Sequence, residues 1–218
     1  MSSALARPPR AVILATSFLL TLAGNARAQT LEPIDSYVID LRGSMMTLGS
    51  DEALAAPHGL RADQLAGASY ALDIGGHVYL YRWKAITFGL GGSALFAATS
   101  LTPGDDDLDP LGPTVNTRFT AFSPQLSFNF GHRNGWSYLS AGLGTSRLTV
   151  YEQQPTIPEQ RRAGTLNYGG GARWFVKPNL ALSLDLRFYA ISPLPQLGEQ
   201  PTSPRITLLA GNIGISVR

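Results

Sequence analysis

Cysteine is absent from the 218 residues, and lysine occurs only at Lys84 and Lys177. Without cysteine there is no disulfide framework, so an exported chain must be held by strand closure and packing. A lipidated lipoprotein is excluded on the same ground. Histidine occurs three times, at His58, His77 and His132, with no spacing that suits a metal ion. Basic residues form no clustered face of the kind that marks nucleic-acid binding. Beyond residue 28 no apolar run approaches the ~20 residues of a membrane-crossing helix. The scarcity of lysine bears on the surface. A soluble barrel solvates its outer face with interspersed lysine and glutamate, and both lysines here fall in predicted tight turns.

What is present begins with a leader. Arg7 and Arg10 precede an apolar run from Ala11 to Leu22 that is too short to span a bilayer, and Ala26-Arg27-Ala28 fits a small-x-small cleavage site. Residues 1–28 are therefore predicted to be a signal peptide and 29–218 a single barrel domain. Three of the seventeen basic residues, Arg7, Arg10 and Arg27, lie in that leader. The remainder carries fourteen against fifteen acidic ones, a net charge of −1, so the basic character of the whole chain is partly a targeting feature.

The dominant pattern is alternation. In Leu180-Ala-Leu-Ser-Leu-Asp-Leu-Arg-Phe-Tyr189 every second residue is large and apolar, while those between are small, polar or charged. Successive side chains of a strand point to opposite faces, so such a segment has one apolar and one polar side. Eight segments read this way, at about 36–48, 68–82, 85–98, 119–131, 136–151, 164–176, 180–189 and 205–218. In the fifth, the apolar set shifts beyond Thr145 to Leu148 and Val150. That would turn Arg147 outward unless a bulge resets the phase or the arginine snorkels at the strand end. Pro124 in the fourth predicts a bulge or a strand start just after it.

Connections alternate in length. Arg82-Trp83-Lys84, Arg133-Asn134-Gly135 and Lys177-Pro178-Asn179 are tight turns, whereas about 49–67, 99–118, 152–163 and 193–204 are long. Short turns at one end and long loops at the other are the pattern of outer-membrane barrels, with the long loops outside. The predicted fold is thus all-β, an eight-stranded antiparallel up-and-down transmembrane barrel. A barrel of eight strands has an interior only wide enough for side chains to fill, which suits the Gly, Ala, Ser, Thr and Asn of the polar face. Tyr37, Tyr70, Trp83, Trp136, Tyr138, Trp174 and Tyr189 near strand ends are expected in aromatic girdles.

Two stretches carry a resemblance, Gly169-Gly-Gly-Ala-Arg-Trp-Phe-Val-Lys-Pro-Asn-Leu-Ala-Leu-Ser-Leu-Asp-Leu-Arg-Phe-Tyr189 and Tyr138-Leu-Ser-Ala-Gly-Leu-Gly144. They are similar to the glycine-rich strand, turn and alternating strand of the small OmpA-type, OmpX-type and opacity-type outer-membrane barrels of Gram-negative bacteria. The resemblance implies insertion by the outer-membrane assembly machinery, and outer-membrane lipids and lipopolysaccharide are the expected partners. A monomer with no cofactor is expected. Such barrels usually end in an aromatic residue, and this chain ends Ile215-Ser-Val-Arg218.

The candidate site residues are inward charges: Asp40, Arg42, Asp73, Arg173, Asp185 and Arg187, with His77. Arg173 is expected diagonal to Asp185, and Asp40, Arg42, Asp73 and His77 are expected to form a second cluster. Two readings stay open. One is a structural network in which each buried charge is paired because an unpaired one is costly. The other is a gate or narrow polar path. Asp105-Asp-Asp-Leu-Asp109 offers hard oxygen ligands but lacks the glycine and glutamate of a calcium loop. Lipid A-modifying enzymes also use eight-stranded barrels, and Ser50, Asp51 and His58 are the one conceivable catalytic set, all in one loop. The expected function is non-enzymatic, a structural or surface-interaction role carried by the loops, with a narrow channel as the alternative.

Overall fold

The computed structural model describes residues 32–102, 104, 112–152, 161–198 and 202–218. The predicted signal peptide and the Asp105–Asp109 stretch lie outside the described residues. Eight strands, β1 Tyr37–Thr47, β2 Ala68–Trp83, β3 Ile86–Leu101, β4 Val115–His132, β5 Gly135–Glu152, β6 Ala163–Lys177, β7 Leu180–Ile191 and β8 Ile206–Val217, pair with their sequence neighbours. β8 closes on β1, and every pairing is antiparallel. Closure leaves no unpaired strand edge. The tight turns have two residues each, Lys84-Ala85, Arg133-Asn134 and Pro178-Asn179. Lys84 takes a left-handed φ of 53° to make the first of them.

Parity follows the alternation, but the sequence expectations need three corrections. β5 keeps one register with β4 on both sides of Thr145 and with β6 from Gly135 to Ser146, so there is no bulge at Thr145. Leu148 and Val150 point inward instead, because the upper interior is apolar and receives them. Arg147 stays on the outer face at the strand end. The fourth strand begins at Val115 and runs through Pro124. Its pairing with β5 stops at Phe122 and resumes at Leu126 in the same register, a local lapse rather than a bulge. Gly142 and Gly144 make this possible, since a Cβ there would run into the carbonyls of Pro124 and Phe122. Bulges occur instead at the short-turn end, between Tyr79 and Tyr81 and between Phe175 and Lys177. Third, Trp136, Tyr138 and Tyr189 are 3%, 2% and 1% exposed and belong to the interior. They share parity with Ser140 on β5 and with Asp185 and Arg187 on β7. Tyr37, Tyr70, Trp83 and Trp174 do face outward.

Burial is inverted relative to a water-soluble protein. Ile39, Leu41, Leu72, Ile74, Leu126, Leu139, Leu184 and Ile213 are exposed on the wall, while aspartates, arginines, serines and asparagines fill the inside. The interior has three levels. The long-loop third is apolar and includes Met46, Leu95, Phe119, Val150, Ile191 and Leu208. The middle is charged. At the short-turn end Ile34, Val38, Trp136 and Tyr138 pack with Tyr79 and Phe175.

Candidate functional site

The middle level holds three buried aspartates and three buried arginines among the described residues, so its formal charges cancel. Arg42 and Asp73 sit directly opposite in the β1–β2 register. Arg42 reaches Asp73 Oδ1 at 3.3 Å and Asp40 Oδ2 at 2.5 Å. Arg173 does not take its diagonal neighbour Asp185. From β6 it crosses the lumen to Asp40 on β1, donating from Nε at 2.9 Å to Oδ1 and from Nη2 at 2.6 Å to Oδ2. This two-pronged arrangement is the strongest form of arginine–carboxylate pairing. Ser216 adds a third donor to Asp40.

Asp185 is satisfied separately. Arg187 lies 2.9 Å away through Nε, Asn212 donates at 2.8 Å, and the Tyr138 hydroxyl donates at 2.5 Å. Arg187 also donates to Asn167 Oδ1 and Ser140 Oγ. Tyr138 joins the two halves, since the Arg173 guanidinium lies 4.1 Å from the centre of its ring. His77 stands apart from the network. It is buried opposite Val38, and neither ring nitrogen has a hydrogen-bond partner among the described residues. Sequence reasoning missed Tyr138, Ser140, Asn167, Asn212 and Ser216 as partners. Their signal was parity alone, because each shares a face with a named charge.

Above the charges sits a lid made from the first long loop. Helix α1, Glu52–Ala55, is capped by Asp51, whose carboxylate accepts from the Leu54 N–H at 2.9 Å. Two 3-10 turns follow, Ala56–His58 and Ala62–Gln64, with Gly59 in the left-handed region at φ 71°. Leu54, Ala55, Leu60 and Leu65 are buried in the apolar cluster that fills the mouth. His58 Nδ1 lies 2.9 Å from the Leu54 carbonyl. Asp51 and His58 thus each hydrogen-bond to Leu54 within the lid. No group of three or more histidines or carboxylates among the described residues is placed to hold a metal ion.

An apolar wall around a charge-paired interior is stable only when lipid bathes the outside, because water would meet a continuous apolar belt. Solved structures agree. The Neisserial surface protein NspA superposes with a TM-score of 0.54 at 13% identity, over 84% of this chain and 97% of that one. Ail, the attachment invasion locus protein of Yersinia pestis, gives 0.50 at 11%, over 84% and 99%. The fold is that of a small outer-membrane β-barrel. A second Ail structure, in complex with the heparin analogue sucrose octasulfate, gives 0.51 at 13% identity, over 84% and 99%. No protein-family model matches the sequence, and no curated protein matches it either. In outer-membrane barrels the long loops face outside and the short turns face the periplasm, which puts the lid of this barrel at the outer mouth.

Proposed function

We propose that this chain is a non-conducting, non-enzymatic, monomeric barrel of the Gram-negative outer membrane. Residues 1–28 are its cleaved export signal, the assembly machinery inserts it, and its role at the cell surface is carried by the long loops. One observation carries the reading: the charges that a channel would offer to solutes are ion-paired with one another. Asp40 and Asp185 each take several donors, with an apolar lid above them and an aromatic cluster below. A lumen filled at three levels leaves the exterior as the surface on which to act. The fold likeness to a protein named for attachment and invasion, and to one named a surface protein, supports a surface role.

The test uses cells displaying either the full chain or one in which residues 102–114, 153–162 and 192–205 are cut to short turns. Attachment to protein-coated and glycan-coated surfaces is expected to fall to background with the shortened loops while the barrel still folds. Unchanged attachment, or an altered lipid A acyl pattern on expression of the full chain, contradicts the reading.

A further inference from the structure

The ring of strands closes at the seam between β1 and β8, and this is the shortest of its pairings. It runs from Ile39 opposite Val217 to Met46 opposite Ala210, whereas β3–β4 runs from Ile86 opposite Phe130 to Leu101 opposite Val115. A barrel opens by parting a seam, and a parted seam bares two rows of N–H and C=O groups. The shortest pairing has the fewest ladder bonds to break, so bonds at its ends count most. At the long-loop end the Thr47 side chain continues the pairing, its hydroxyl accepting from the Leu209 N–H at 3.0 Å. The short-turn end is finished by an arginine.

Arg218 follows β8, and its side chain is 4% exposed. Its Nε lies 2.7 Å from Asp35 Oδ2 and donates to the Pro178 carbonyl at 2.7 Å. Its Nη1 donates to the Arg133 carbonyl. The guanidinium lies 3.7 Å from the centre of the Phe175 ring, and Phe175 stacks in turn on Trp136 at 5.1 Å. These partners come from around the whole mouth. Asp35 lies just before β1, Arg133 in the β4–β5 turn, Phe175 on β6 and Pro178 in the β6–β7 turn. β4 stands opposite β8 in the ring, four strands away in either direction. Asp35 is itself held between two fixed neighbours. Ile34 is buried in the aromatic cluster below the charges, and the Ser36 carbonyl accepts from the Tyr79 N–H at 2.8 Å. An exposed ion pair adds little. A buried guanidinium that holds a carboxylate, two carbonyls and an aromatic face is a different case.

We propose that Arg218 is a latch on the closing seam. Its bond to Asp35 joins the two residues that flank the seam, one before β1 and one after β8. Its other bonds tie that joint to the far side of the mouth. The seam cannot part from the short-turn end until the guanidinium releases these partners together. The latch forms only when β8 has met β1, so its loss falls on the rate of unfolding rather than on the rate of folding.

The experiment follows the refolded full barrel in detergent at a fixed temperature and measures how fast its heat-resistant gel band disappears. R218Q is expected to speed the loss by about tenfold or more, since several bonds from a charged donor go at once. R218K, which keeps the charge without the fork, should lie between. The chain has no cysteine, so an engineered pair staples a chosen seam. Ile39→Cys with Val217→Cys, directly opposite across β1–β8, is expected to abolish the effect of R218Q when oxidised, and reduction should restore it. Ile86→Cys with Phe130→Cys, across β3–β4, should leave the effect intact. An unaltered rate for R218Q overturns the proposal. So does an effect that persists with the β1–β8 staple closed. So does an effect that both staples remove equally, which would make Arg218 an ordinary stabilising contact. Should R218Q fail to fold, D35N, which removes the flanking partner alone, carries the same comparison.

Discussion

Asp40 sits in the middle of the lumen and takes Arg42, Arg173 and Ser216 at once. Removing one partner of a buried ion pair strands the other charge and costs about 3–5 kcal/mol, even where the pair itself adds little net stability. Arg173→Ala is therefore expected to lower the denaturant midpoint of the refolded barrel by an amount in that range. Arg173→Lys should fall between, because a lysine keeps the charge but loses the fork and the stacking on Tyr138. Tyr138→Phe removes only the hydroxyl that Asp185 accepts, and about 1.5–3 kcal/mol is expected from a hydrogen bond to a charged group. Unfolding followed by tryptophan fluorescence reads all three. An unchanged midpoint for Arg173→Ala means that the charges are hydrated rather than paired. At this scale the sequence disclosed which charges face inward, because parity decides that. It did not disclose their partners. A bond from β6 across the lumen to β1 depends on strand tilt and stagger, which no local pattern records.

Among the elements, the lid was the part least legible. Residues 49–67 read as a plain long loop because a four-residue helix and two 3-10 turns leave no periodic trace. Asp51 as a cap and Gly59 as a left-handed stop were the only signs of local order. Burying Leu54 and Leu60 over the mouth contributes about 1.5–3 kcal/mol each. Leu54→Ala with Leu60→Ala is accordingly expected to undock the lid while the strands stay paired. Trypsin should then cut after the exposed Arg61 much faster than in the unaltered barrel, with the heat-dependent gel migration of the folded form preserved. Equal cleavage rates would show that the lid is not held by these leucines. The strands themselves were legible in type, face and order. The misreading at Thr145 came from assuming a uniformly polar interior. Once the upper third is apolar, Leu148 and Val150 need no phase change. Gly142 tests the crossing at Pro124. Gly142→Val places a side chain against the Pro124 carbonyl, and a lower yield of heat-resistant folded barrel is expected, whereas Ala141→Val on the outer face should fold normally.

For the molecule as a whole, inversion of burial and the charge-paired interior are one design. Lipid replaces the hydrophobic core on the outside, so the inside is free to hold polar groups that must satisfy one another. Composition announced the first half, since two lysines in turns and a Gly-Ser-Asn inner face do not suit a solvated barrel. It was silent on the second, because a paired network and a conducting path use the same residue types. The measurement that separates them is single-channel conductance in a planar bilayer with residues 29–218 refolded in detergent. A folded barrel that inserts and stays silent is the expected result. Regular, uniform current steps would contradict the proposed sealed interior.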